Sequence, residues 1–76
     1  MPRMIRRLRC YAGPLDAETD GLIVCYSQRQ AETLLKIGKK KFADWWEAPA
    51  VPDWATKFVV YVRRQGKSIW NRREEA

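Results

Sequence analysis

Ser27-Gln28-Arg29-Gln30-Ala31-Glu32-Thr33-Leu34-Leu35-Lys36-Ile37-Gly38-Lys39-Lys40-Lys41-Phe42-Ala43-Asp44-Trp45-Trp46 is the stretch on which the reading of this chain turns. Ser27 followed by Gln30 fits a capping box, the hydroxyl accepting from the Gln30 backbone while the Gln30 side chain reaches back. Behind it Ala31, Leu34 and Leu35 recur at i, i+3, i+4, which predicts a short amphipathic helix. Ile37-Gly38 interrupts the pattern, and Gly38 suits a left-handed exit that β-carbons resist. A second helix is predicted from Lys39 to about Glu47, with Phe42, Trp45 and Trp46 at the same apolar spacing. Pro49 and Pro52 end it and hold the next residues extended.

Toward the N-terminus, Leu22 to Tyr26 is apolar on both faces and reads as a central strand. Residues 4–12 alternate, Leu8 and Cys10 on one side and Arg7 and Arg9 on the other, as a half-buried strand does. Gly13-Pro14 breaks this strand and Leu15 to Gly21 forms a polar loop, so the two strands make an antiparallel hairpin with a long tip. If Gly13 stands opposite Leu22, Cys10 lies opposite Cys25. Toward the C-terminus, Lys57 to Arg64 is a strand with Phe58, Val60 and Val62 on one face and Val59 and Tyr61 on the other. Gln65-Gly66 turns the chain, and Lys67 to Arg72 returns as a short edge strand carrying Ile69 and Trp70. The basic N-terminus and the tail Arg72 to Ala76 are expected to fray. The order β-β-α-α-β-β describes a single α+β domain over residues 1–76. It is a small antiparallel sheet with two short helices on one face, compatible with a winged helix-turn-helix-like arrangement.

Composition narrows the function. Fifteen Lys and Arg against nine Asp and Glu give a net charge of +6 on 76 residues. Such a field attracts polyanions without naming them. No run approaches the roughly 20 apolar residues of a membrane span, and no apolar core follows the basic N-terminus, so a cytoplasmic setting is expected. Two cysteines that form no CxxC pair suggest reduced thiols, and with no histidine a metal site lacks ligands. Asp16-Ala17-Glu18-Thr19-Asp20-Gly21 imitates the start of a calcium loop, but Ser27 stands where that loop needs a bidentate Glu. The absence of imidazole removes Ser–His and Cys–His pairs, the acids gather on a loop tip, and no phosphate-cradling glycine loop is present. Neither catalysis nor a cofactor is expected.

Two short helices joined by a Gly-containing turn describe a helix-turn-helix, with Lys39, Lys40 and Lys41 opening the second helix, where such motifs face DNA. Cations there repel the positive end of the helix dipole unless an anion sits among them. A helix pair lying on a sheet produces the same apolar spacing, and lysines also fill solvated faces. The stretch from Ser27 to Phe42 resembles the first two helices of excisionase-like and MerR-like phage DNA-binding proteins. Most of the chain also resembles a loose group of small uncharacterised phage proteins with a leading strand hairpin and a closing basic hairpin. Lys36 stands where helix-turn-helix proteins commonly have Gly, and Gly38 stands where Ser or Thr would cap the second helix.

The Arg63-Arg64-Gln65-Gly66-Lys67 tip clusters three cations as a wing does on phosphates. Trp70 with Arg72 and Arg73 interleaves an aromatic with charge, as single-strand binders do. An edge strand guarded by charges would look the same. The expected partner is therefore nucleic acid, duplex DNA first, in a host bacterial cell, bound through Arg29, Lys39, Lys40, Lys41, Arg63, Arg64, Lys67, Arg72 and Arg73. The alternative is an inhibitor that docks on an acidic host protein surface, such as a CRISPR effector, a restriction enzyme or RNA polymerase. Trp45, Trp46, Trp54 and Trp70 would serve it as anchors, since so small a core cannot bury them all. A homodimer stays open, because edge strands and spare tryptophans invite self-association.

Overall fold

The hairpin that opens the fold is shaped by a single aspartate. In the computed structural model, which describes residues 7–73, β1 (Arg9–Pro14) and β2 (Thr19–Cys25) pair antiparallel around a four-residue tip, 15–18. Asp16 Oδ1 accepts from the Glu18 and Thr19 backbone N–H groups, both at 2.8 Å, and Leu15 N–H donates to the Thr19 carbonyl at 2.9 Å. This aspartate turn replaces the long loop expected over Leu15–Gly21 and lets β2 begin at Thr19. It also corrects the register, since Gly13 pairs with Gly21 rather than Leu22. One residue of slip sends side chains to opposite faces. Cys10 therefore stands opposite Val24, Arg9 stands opposite Cys25, and the two thiols lie on different sides of the sheet. The part of the first strand expected at residues 4–6, and the fraying expected over 1–6 and 74–76, lie outside the described residues.

Ser27 caps α1 (Gln28–Leu35) as expected, its hydroxyl accepting from Gln30 N–H at 3.2 Å. Gln30 Oε1 closes the box one residue early, on Tyr26 N–H at 2.9 Å. The exit differs from expectation. Lys36, not Gly38, takes the left-handed conformation (φ 59°), and Ile37 N–H returns to the Glu32 carbonyl at 3.2 Å. Gly38 is instead the extended cap of α2 (Lys39–Phe42). That helix is a single turn, not the nine residues expected to Glu47. Trp46 and Glu47 are claimed by β1 as a fifth strand, β3 (Trp46–Glu47), with Trp46 opposite Ala12 and Glu47 opposite Tyr11.

β4 (Val60–Arg64) and β5 (Asn71–Arg72) complete an all-antiparallel sheet in the order β3-β1-β2-β4-β5. β2 is central, as its two-faced apolarity predicts. β4 begins three residues later than expected because Lys57-Phe58 is a turn with Phe58 at φ 66°. The closing strand is shorter than Lys67–Arg72. Its end is anchored rather than frayed at Arg72 and Arg73, since Arg73 N–H donates to the Val60 carbonyl at 2.8 Å.

The sheet separates two apolar clusters. On one face Ala31 and Leu35 of α1, with Phe42 and Trp45, cover Tyr11, Ile23, Cys25 and Val60. On the other face Cys10, Ala12, Leu22, Val24 and Tyr61 are covered by Ala48, Val51, Ala55 and Val59, from a segment with no regular structure, and by Trp70. The architecture is thus helices, sheet and an irregular cover.

Candidate nucleic-acid interface

Trp45 sets the position of the lysine-rich turn. Its indole lies across Gly13 and Gly21, which pair side by side, and a β-carbon on Gly21 would come within 2.9 Å of the ring. Its Nε1–H donates to the Pro14 carbonyl at 2.9 Å, and its ring stacks on Phe42 at 5.4 Å between centroids. Phe42 in turn meets Tyr11 edge-on at 5.5 Å. Phe42 and Trp45 therefore hold α2 against the hairpin, and Lys39, Lys40 and Lys41 are left exposed. Lys41 is near enough to Asp16 for its charge to add to the downward shift of that carboxyl, whose first cause is the backbone N–H of Glu18.

The second cationic group reaches the same hairpin tip from the β4 side. Gln65 N–H donates to the Glu18 carbonyl at 2.9 Å, and exposed Arg64 and Lys67 share a shallow depression with Ala17, Glu18 and Gln65. The two groups thus flank one acidic tip at one end of the sheet.

The remaining expected site residues divide. Arg29 is exposed on α1 and lines a shallow depression with Lys39, Glu32 and Thr33. Arg63 is committed internally. Its guanidinium lies 4.4 Å from the centre of the Trp70 ring, and its Nε sits 3.6 Å from Asp20 Oδ2, an ion pair too long for a hydrogen bond. Arg72 lies on the other side of the sheet's end, beside the Tyr61 hydroxyl. Thr56 N–H, first, and then Arg72 pull that phenol below its ordinary range. Arg73 is half-buried and lines a depression with Leu34, Phe58 and Val60. Arg63, Arg72 and Arg73 therefore do not join the Lys39–Lys41 and Arg64/Lys67 groups.

Among the described residues only two ion pairs form, Arg63–Asp20 and Arg9–Glu47, the latter at 3.8 Å. Arg29, Lys39, Lys40, Lys41, Arg64 and Lys67 take part in neither.

The tryptophans also divide. Trp45 is buried at 8% exposure and is a core residue, not a surface anchor. Trp70 is half-buried under Arg63. Trp46 and Trp54 stay open at 52% and 50% exposure, on the face away from the helices. Trp46 pairs with Ala12 of that face, and Trp54 meets Tyr61 edge-on at 5.1 Å. Periodicity placed Trp46 beside Trp45 on a helix and so missed their separation, which follows from the switch into a strand at Trp46. No helix among the described residues is long and apolar enough to cross a membrane. No family model, curated protein or solved structure matches the chain.

Proposed function

We propose that this chain binds duplex DNA through its phosphates, as a small regulator or accessory factor. The reading rests on one observation. Lys39, Lys40, Lys41, Arg64 and Lys67 stand exposed on both flanks of the hairpin tip, outside both ion pairs of the described residues. Exposed cations outside those ion pairs offer their charge to a polyanion, and release of condensed counterions from the DNA drives the association.

The fold also shapes the mode of binding. α2 has four residues, about 6 Å of helix, which gives little length to lay along a major groove. Contacts to the backbone, which position a protein without reading bases, suit it better than groove insertion. Affinity is then nearly independent of sequence and falls steeply with salt. With five phosphate contacts, raising salt from about 50 to 200 mM weakens binding on the order of several hundredfold. Fluorescence anisotropy with a labelled duplex measures this directly. The triple variant Lys39/Lys40/Lys41→Ala should reduce the log–log salt slope by about three. Undetectable binding at low salt, or a slope unchanged by the triple variant, rules the proposal out.

A further inference from the structure

We propose that the depression beside Phe58 is a second binding site, one that takes an unpaired base of a single-stranded nucleic acid together with its phosphate. The backbone marks the place. Phe58 stands at φ 66°, a conformation that favours glycine, and its N–H holds it there by donating to the Val24 carbonyl of β2 at 2.7 Å. Core packing does not account for a phenylalanine in that position. The residue belongs to neither apolar cluster and stays 40% exposed. A strained residue that keeps an aromatic ring at the surface points to contact with a ligand.

The chemistry around the ring says which ligand. The depression is lined by Leu34, Phe58, Val59, Val60, Arg72 and Arg73, with no acid among them. The Arg72 side chain serves the Tyr61 hydroxyl, so Arg73 is the cation of the depression itself. Lys57 supplies another, its ammonium 5.5 Å from the centre of the Phe58 ring and 3.4 Å from the Tyr26 hydroxyl. Tyr26 meets Phe58 edge-on at 5.8 Å and so sets the tilt of the ring. Neither Lys57 nor Arg73 takes part in the two ion pairs among the described residues. An exposed ring between two cations suits a nucleotide, whose base stacks on the ring while the phosphate meets the charges. An acidic peptide would use the cations but bring no flat partner for the ring. The base must be unpaired, because a duplex keeps its bases inside the stack. Tyr26 follows the last residue of β2, whose seven residues span about 23 Å from the hairpin tip. The site therefore stands whether or not the cations flanking that tip bind duplex DNA.

Fluorescence anisotropy of the full chain tests this with three labelled probes: a thymidylate strand of about 12 nucleotides, an abasic strand of the same length, and a duplex. The strand that carries bases should bind more tightly than the abasic one. Phe58→Gly relieves the backbone and removes the ring. It should weaken thymidylate binding at least about fivefold and leave the abasic strand and the duplex unchanged. Phe58→Asn, which also accepts the left-handed conformation, is a second ring deletion with the same expected loss, and Phe58→Tyr should retain the affinity. Arg73→Gln should lower the log–log salt slope for single strands by about 0.7. Circular dichroism checks the fold of each variant. The Phe58→Gly loss should persist in the Lys39/Lys40/Lys41→Ala background, which separates this site from the tip. Equal affinity of the unaltered chain for the abasic and the base-bearing strand overturns the inference, as does thymidylate binding that survives both ring deletions. A loss in Phe58→Gly confined to a labelled glutamate–tyrosine peptide, with thymidylate binding unmoved, assigns the ring to a protein ligand and overturns it as well.

Discussion

The two faces of the sheet are sealed by different means. On the helix face the cover is regular and aromatic, with Trp45 and Phe42 stacked against a glycine pair and Leu35 and Ala31 wholly withdrawn from solvent. On the opposite face the cover is an irregular strip of Ala, Val and Pro, held by single backbone bonds at its ends. Ala48 N–H donates to the Cys10 carbonyl and Phe58 N–H to the Val24 carbonyl, each at 2.7 Å. The helix face is closed and rigidly keyed. The other leaves its largest side chains half in water. Stability should therefore concentrate on the first face.

Substitution of the two tryptophans is the strongest way to break that contrast. Trp45→Ala should cost roughly 3–5 kcal/mol, from lost burial and a cavity over the glycine pair. Against the roughly 4–11 kcal/mol expected of a chain this size that is a large share, so urea denaturation should find its midpoint strongly lowered. Trp54→Ala, which loses an edge contact to Tyr61 and only part of its burial, should cost about 1 kcal/mol in the same assay. Equal losses at the two sites would mean that the irregular cover is as strongly keyed as the helical one.

The cysteines give the next largest effect. Burial pushes the Cys10 thiol up to about 11, with the nearby Cys25 adding to the shift, and burial raises Cys25 as well. A thiol whose folded pKa is raised favours the folded state below its unfolded value, and that advantage is lost as pH rises through the folded pKa. Stability should thus be flat to about pH 9 and fall by about 2–3 kcal/mol by pH 11 on account of Cys10 alone. Chemical denaturation across this range, compared with Cys10→Ala, measures it, and the variant should show the shallower decline. A smaller effect, about 1 kcal/mol, is expected from Ser27→Ala, which removes the α1 cap.

The smallest test sets the two left-handed residues against each other. Lys36→Gly should stabilise by about 0.5–1 kcal/mol, because glycine relieves the backbone and the lysine side chain is exposed. Phe58→Gly relieves the same strain but forfeits the ring's edge contact with Tyr26 at 5.8 Å and the Lys57 ammonium near it. It should be neutral or slightly destabilising. Thermal melts of both variants compare them, and an equal gain at the two positions would show that the Phe58 ring contributes nothing.

The contrast between faces also explains what could be read from residues alone. Leu22 to Tyr26 announced a central strand because a strand covered on both sides has no polar alternation, and Ser27 announced its helix because capping is local chemistry. The identity of the second cover was not legible, since a Pro-rich strip without period packs by tertiary contact only. The second helix was overestimated because Phe42, Trp45 and Trp46 fit helical spacing. What ended it was β1 offering Ala12 and Tyr11 as strand partners, which no local pattern reports. The lysine cluster was visible, and so were the cations of the β4–β5 turn. Their placement on the two sides of one tip was not, because it follows from the Gln65–Glu18 bond and from the glycine seat of Trp45. The internal contacts of Arg63 were not legible for the same reason. Asp20 and Trp70, which hold it, lie 43 and 7 residues away.

The one-residue register of the hairpin has a practical bearing on how the chain records damage. With Cys10 and Cys25 on opposite sides of a packed sheet, each wholly enclosed, an internal cystine cannot form without dismantling β1 and β2. With oxidised glutathione added as the acceptor of the two electrons, any internal cystine that forms would therefore be a trace of molecules that had opened, and its yield would rise with the time spent open. The chain thus carries its own chemical clock for unfolding, legible on a non-reducing gel without a label or a probe.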